Sequence, residues 1–319
     1  MKQSSNYVGV DIGGTSTKIA LINETGHVSF LSRLINNKIN QDSENFLNSV
    51  FSTITGILDR TKKPICGIGI SSPGLQMKNE RGTLYSINMF ILNRVDLMGI
   101  FEERFKLPVA VCNDLVAHGL AESYFGWGRG VERFLSVSLG TGIGHTFFFK
   151  GVPQLSMSGV SGDSGRMILD KTSLDLDSMG ARGTAEAMCG VRAIETLAAQ
   201  KYPIGLQYSA HDVISMANQG NDPLAIEIMT IISHRLAMLL VNLSSIYFPY
   251  VISLTGGQTE AGDFFIEACR TEYIRLSHNF FNVFLEQSDI NEKVEIVKSK
   301  TGGLTGLIGS IVPLIKKQP

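Results

Sequence analysis

Residues 8–22 restrict the fold more than any other stretch of the chain. Val8, Val10 and Ile12 alternate into the pair Gly13-Gly14, and Ile19, Leu21 and Ile22 leave it, so the stretch reads as strand, tight turn, strand. Without Cβ atoms, Gly13 and Gly14 let backbone N–H groups and the hydroxyls of Thr15 and Thr17 approach an anion closely. Asp11, at the end of the first strand, would then stand within reach of a metal that bridges phosphates. The same residues also make a plain hairpin turn, because Gly-Gly is itself a hairpin signal and no Walker-type or dinucleotide glycine spacing is present. Both readings stay open on this stretch alone.

Composition narrows the class of partner. A net charge of −1 provides no general attraction to nucleic acid or to an anionic membrane, so a small molecule is the expected ligand. Cys66, Cys112, Cys189 and Cys269 share no metal-ligand or C-x-x-C spacing and fit a reduced, intracellular chain. Residues 1–6 carry no apolar run of the secretory kind. The most apolar window, 236–254, is interrupted by Asn242, Ser244, Ser245 and Pro249, and reads as a buried helix followed by a buried strand. A cytoplasmic location is expected.

Further along, residues 28–34 supply a third strand, and 43–60 form an amphipathic helix with Ser43 as candidate N-cap. Residues 65–70 form a buried strand that runs into Ser71-Ser72-Pro73-Gly74, which is either a ligand-bearing strand end or an ordinary turn. A short helix over 97–105 precedes the strand 109–112, which ends in Asn113-Asp114. Asn113 could bind neutral hydroxyls there, and a desolvated Asp114 could accept a hydroxyl proton; capping of the helix over 115–124 is the alternative role for Asp114. The opening pattern then recurs as strand 134–139, bend Gly140-Thr141-Gly142-Ile143-Gly144 and return strand 145–149. A third strand, 251–254, meets glycines at Gly256-Gly257 and opens a helix. Three such junctions suggest one nucleotide held between two halves built alike.

Asp-x-Gly-Gly-Thr at 11–15, Asn-Asp at 113–114, Leu-Gly-Thr-Gly-Ile-Gly at 139–144 and Gly-Gly at 256–257 together resemble the ROK (repressor, open reading frame, kinase) family of sugar kinases, within the actin-like ATPase superfamily. The resemblance spans about residues 6–316. It implies an α/β fold of two ribonuclease H-like domains, each a mixed five-stranded sheet flanked by helices, with a cleft between them. Residues 1–113 would form the first domain, completed by a helical segment within 301–319, and 114–300 the second. It also implies ATP-dependent phosphorylation of a hexose or N-acetylhexosamine, ATP and Mg²⁺ as cofactors, and a homodimer or homotetramer. With only residues 1–7 ahead of the first expected strand, the DNA-binding domain that repressor members carry is not expected here.

Carried over by motif, Asp114 resembles the base that deprotonates the sugar hydroxyl. Asp11 would hold Mg²⁺ or its waters. Gly13, Gly14, Thr15 and Lys18 would meet the phosphates from one side, and Gly140, Thr141 and Gly142 from the other, with Gly256 and Gly257 toward the adenosine. Gly74, Asn88, Asn113 and Asp114 match sugar-contacting positions, as do Asp163 and Arg166 in altered form and Glu186 unaltered.

The alteration is specific. Where the family has Glu-x-Gly-His, this chain has Asp163-Ser164-Gly165-Arg166, and residues 177–186 keep two glycines and Glu186 of the family's zinc motif without any of its cysteines. No structural zinc is expected. Arg166 would replace it by pairing with Asp163, Asp177 or Glu186, because a planar guanidinium can hold two carboxylates at once; the alternative is an Arg166 on an exposed loop. The altered pocket also leaves a catalytically weak sugar sensor as a second reading.

Overall fold

Strand β1 (Asn6–Ile12) is buried on both faces, with Tyr7, Val8, Val10 and Ile12 almost wholly removed from solvent, and it takes the centre of a five-stranded sheet. The computed structural model describes residues 5–36, 42–61, 63–287 and 294–316. Residues 1–4 and 317–319, which the expected first domain includes, lie outside them. From the glycine pair the chain returns antiparallel as β2 (Ser16–Asn23), which pairs with β3 (Val28–Ile35). Helix α1 (Ser43–Arg60) buries Phe46, Leu47, Val50, Ile54 and Ile57 at helical spacing. Its N-cap is Asp42 rather than Ser43, because the Asp42 carboxylate accepts from the Asn45 N–H at 2.7 Å.

Strand β4 (Ile65–Ser72) runs parallel to β1. A small hairpin, β5 (Leu75–Gln76) and β6 (Thr83–Tyr85), and helix α2 (Leu97–Phe105) then lead to β7 (Val109–Asn113), parallel to β4. The order is β3-β2-β1-β4-β7, the mixed sheet expected from the sequence. Helix α3 (Asp114–Phe125) follows directly.

A second sheet starts with the antiparallel pair β8 (Arg133–Leu139) and β9 (Ile143–Phe149), with β10 (Val152–Pro153) at its edge. Four helices follow: α4 (Ala185–Cys189), α5 (Val191–Lys201), α6 (Ala210–Gln219) and α7 (Pro223–Tyr247). Strand β11 (Val251–Thr255), helix α8 (Asp263–Gln287) and strand β12 (Glu295–Lys298) complete the order β10-β9-β8-β11-β12. Helix α7 is the one helix among the described residues long and apolar enough to cross a membrane, and its Ile228, Met229, Ile232, Leu236, Leu239 and Leu240 are buried in the core over this sheet.

The last elements, α9 (Thr305–Ser310) and α10 (Val312–Lys316), return to the first sheet. The helical segment expected within 301–319 is thus two helices, broken at Ile311, since Pro313 has no N–H to continue the ladder. Glycines let α9 lie backbone to backbone on its neighbours. A Cβ on Gly9 of β1 would stand 2.8 Å from the Leu307 carbonyl, one on Gly69 of β4 would strike the Ser310 carbonyl, and one on Gly309 would strike the Ala117 carbonyl of α3.

Packing divides the chain into Met1–Arg129 with Pro153–Ser161 and Leu304–Pro319, and Gly130–Val152 with Gly162–Gly303. The division expected after residue 113 thus falls at Arg129, because α3 is packed on α9. Residues 153–161 likewise rejoin the first unit, where the Gln76 N–H donates to the Ser158 carbonyl at 2.9 Å.

Candidate active site

In the first unit, the register of three parallel strands sets Asp11, Ser71 and Cys112 in one row at their carboxyl ends, where open α/β sheets bind ligands. The Ser71 hydroxyl donates to Asp11 Oδ1 at 3.0 Å, and Lys18 Nζ, on the antiparallel partner position of β2, lies 3.9 Å from Oδ2. Gly306 of α9 comes so close that a Cβ there would be 2.6 Å from Asp11 Oδ1. A hard carboxylate donor beside a bend whose two glycines carry no side chain suits a divalent cation that carries phosphates. In that bend the Gly13 N–H donates to the Ser16 carbonyl at 3.0 Å, while Gly14 and Thr15 are exposed. A Cβ on Gly14 would stand 3.3 Å from that of Asn88, so the predicted phosphate and sugar residues are neighbours here.

Asn113, not Asp114, caps α3. Its Oδ1 accepts from the N–H groups of Leu115 at 2.9 Å and Val116 at 3.3 Å, and its Nδ2 donates to the Gly74 carbonyl at 2.8 Å. Asp114 is therefore released from the capping role. Burial, reinforced by the negative charge of Asp11, pushes its carboxyl up to about 7 in spite of the N–H that Leu115 donates to it. Burial, with the Asp114 charge, also raises the Cys112 thiol to about 12, so it stays protonated. Gly74 holds φ at +92°, and a Cβ there would be 2.8 Å from that of Ser86. This glycine acts through its carbonyl, which orients Asn113.

In the second unit, β8 and β11 run parallel with Ser138 beside Thr255, so both remaining glycine junctions leave the carboxyl end of adjacent strands. The Gly140 N–H donates to the Gly142 carbonyl at 3.1 Å. Gly256, with φ at +97°, approaches the Leu139 carbonyl to 2.5 Å at the position of its missing Cβ. Gly257 is exposed and starts a 3-10 turn over Gly257–Ala261, so the helix expected directly after the glycines begins only at Asp263.

Beside the bend lies an ion cluster. Arg166 Nη1 is 2.6 Å from Asp177 Oδ2 and 3.6 Å from Glu186 Oε1, and its Nε is 3.5 Å from Asp163 Oδ2. The exposed-loop alternative for Arg166 is thus excluded, and the expected pairing is present with all three carboxylates. Asp177, buried to 1% exposure, also accepts from the N–H groups of Met179 at 2.8 Å and Ala181 at 2.9 Å and from the Thr184 hydroxyl at 3.0 Å. Burial opposes its ionisation, but these donors and Arg166 outweigh it and pull its carboxyl down to about 2. Glu186 Oε1 accepts from the N–H of Ser178 at 3.0 Å and its hydroxyl at 2.5 Å. Nearby on β9, buried His145 shares a 3.0 Å hydrogen bond with the Tyr247 hydroxyl, and burial lowers its ring to about 4.

The sequence marks Ser71 only as part of a junction, without its role on Asp11, and does not point to Asn36, whose amide donates to the Gly13 carbonyl and which carries no local signal.

A model of the ROK family matches residues 7–317. A glucokinase of Halalkalibacterium halodurans is 26% identical over 283 residues, covering 84% of each chain. A protein named putative xylose repressor, from a Caldicellulosiruptor species, is 28% identical over 276 residues, covering 82% of this chain and 68% of its own. Among solved structures, a ROK family glucokinase from Streptomyces griseus in complex with glucose and AMPPNP superposes with a TM-score of 0.80 at 22% identity, over 98% of this chain and all of that one. Its fold is the fold found here.

Proposed function

Because the chain belongs to the ROK family, we propose that it transfers a phosphoryl group from ATP to a hydroxyl of a hexose or N-acetylhexosamine. The observation that carries this reading is Asp114: a carboxylate at the end of a buried strand, freed from capping by Asn113 and poised near neutral pH. A base with a pKa raised toward neutrality is strong enough to accept the hydroxyl proton as the new bond to phosphorus forms. Asn113, Asn88 and Glu186 would orient the sugar. The bends at 13–15 and 140–142 would present backbone N–H groups to the phosphates, with Gly256 and Gly257 beside the nucleoside. Mg²⁺, when bound, neutralises phosphate charge, and Asp11 would hold it or one of its waters. Positioning and charge neutralisation supply most of the rate in such a transfer, and the base contributes about 10²–10⁴-fold. A cytoplasmic homodimer or homotetramer completes the proposal.

The repressor among the relatives supports a second reading, a sugar sensor with weak catalysis. One experiment separates the two: ADP release coupled to NADH oxidation across glucose, mannose, fructose, allose, N-acetylglucosamine and N-acetylmannosamine. Turnover on one sugar establishes the kinase. Thermal stabilisation by a sugar with no turnover on any of them establishes the sensor.

A further inference from the structure

Asn36 directly follows β3 and is fully buried, and its side-chain amide and backbone N–H are directed at the first glycine bend and the start of β2. Its Nδ2 donates to the Gly13 carbonyl at 2.5 Å, its Oδ1 accepts from the Thr17 hydroxyl at 3.0 Å, and its backbone N–H donates to the Thr15 carbonyl at 2.9 Å. One residue thus bonds to Gly13, Thr15 and Thr17, while Gly14 and the Thr15 side chain stay exposed. The same Nδ2 lies 3.7 Å from the Met89 sulfur, in the turn that carries Asn88.

A glycine pair is the least rigid pair of residues a turn can have, since each glycine visits both signs of φ. Such a bend presents its N–H groups in one direction only when something outside it fixes its carbonyls. The β1–β2 ladder ends with Ile12 opposite Thr17; beyond it the Gly13 N–H donates to the Ser16 carbonyl and Ser16 pairs with Ile35 of β3, which leaves the Gly13 and Thr15 carbonyls to other restraints. Asn36 supplies them at the Gly13 and Thr15 carbonyls, through its side chain at the first and its backbone at the second.

We propose that Asn36 is the positioning residue of the phosphate-facing bend: it holds the Gly13 and Thr15 carbonyls inward and so points the intervening N–H groups outward at an anion. Asparagine suits the task because its amide donates and accepts at once, which neither Asp nor Leu of similar size can do. The role in nucleotide binding rests on the kinase reading, whereas the effect on the bend does not.

The test uses Asn36→Leu and Asn36→Asp in the full chain, with two readouts. The first is amide hydrogen exchange of the peptide covering residues 8–22, without ligand. Both variants should exchange the Gly13 N–H at least ten-fold faster than wild type, with the thermal midpoint of the chain little changed, and Asn36→Asp should regain protection at low pH, where a protonated carboxyl can again donate to the Gly13 carbonyl. The second is the KM for ATP at saturating sugar, expected to rise at least ten-fold while the KM for sugar moves less than three-fold. Unchanged exchange in both variants overturns the proposal. Faster exchange with an unchanged KM for ATP also overturns it. If the wild-type chain neither binds AMPPNP nor turns over, the kinase reading fails and the exchange result alone decides whether Asn36 sets the bend. Should Asn36→Leu not fold, Thr17→Val removes the donor to Oδ1 as a milder change: faster exchange of the Gly13 N–H supports the proposal, and unchanged exchange overturns it.

Discussion

The Glu186 carboxylate occupies the place where a side chain on Gly142 would begin: a Cβ there would be 2.7 Å from Glu186 Oε2. The same carboxylate is tied through Oε1 to Ser178 and Arg166. The second glycine bend and the Arg166 cluster are therefore one packed object, and a change in either is felt by the other.

Gly142→Ala should push Glu186 off Ser178 or tilt the bend. Overpacking of this kind costs about 1–3 kcal/mol. Urea unfolding should register that loss, and the KM values for ATP and for sugar should rise together, because the bend is assigned to the phosphates and Glu186 to the sugar. A rise in the KM for sugar alone would separate the bend from nucleotide binding.

Asp114→Asn should lower kcat by about 10²–10⁴-fold while sugar binding, followed by thermal shift, persists. In the wild type, kcat/KM should climb with pH to a plateau above about 7, the point at which the buried carboxyl ionises. Stability should move the opposite way. A carboxyl raised in the folded state keeps its proton after the unfolded chain has lost its own, so the wild type loses stability as pH rises from about 4 to about 7. The asparagine variant lacks that loss and should melt higher than wild type above pH 7.

Asp177→Asn addresses the acid side. The folded carboxyl is depressed to about 2, so its contribution is complete above the ordinary carboxylate range and disappears as pH falls toward 2. Wild-type stability measured between pH 4 and pH 2 should drop more steeply than that of the variant. Parallel curves would mean that another carboxylate dominates acid unfolding.

Arg166→Ala leaves buried Asp177 and buried Glu186 with their cation removed. Breaking such a pair from one side costs about 3–5 kcal/mol. Arg166→Lys should recover only part of it, since an ammonium cannot present two donors to two carboxylates in fixed geometry. Elemental analysis of the purified wild type should find well under one zinc per chain, and a chelator should leave its thermal midpoint in place.

Strand ends and glycine bends are legible in the sequence because each combines a short-range pattern with a residue type that has few other uses. Asp11 ends an alternating apolar run, and Gly13 and Gly14 follow it at once. The partners of Arg166 can be named for a similar reason, as the candidate carboxylates lie within twenty residues of it. What stays hidden depends on contacts between distant segments. Nothing near Asn36 shows that it will meet Gly13, and the choice between Asn113 and Asp114 as cap turns on a Gly74 carbonyl brought in by another strand. The boundary at Arg129 escapes the sequence for the same cause: α3 belongs with the first unit only because α9 comes back to it.

That return has a consequence for the order of assembly. Backbone meets backbone where Gly9, Gly69 and Gly309 face α9 and α3, so no side chain can stand in for α9 while it is still missing. Most of the second unit is a continuous run, Gly162–Gly303, made before α9 emerges from the ribosome. The sheet that begins first is thus finished last, and until residues 304–316 arrive it keeps an open apolar face with Tyr7, Ala20 and Ile22 uncovered. A nascent chain stalled short of that point should hold a protease-resistant second unit beside a first unit that is still cut.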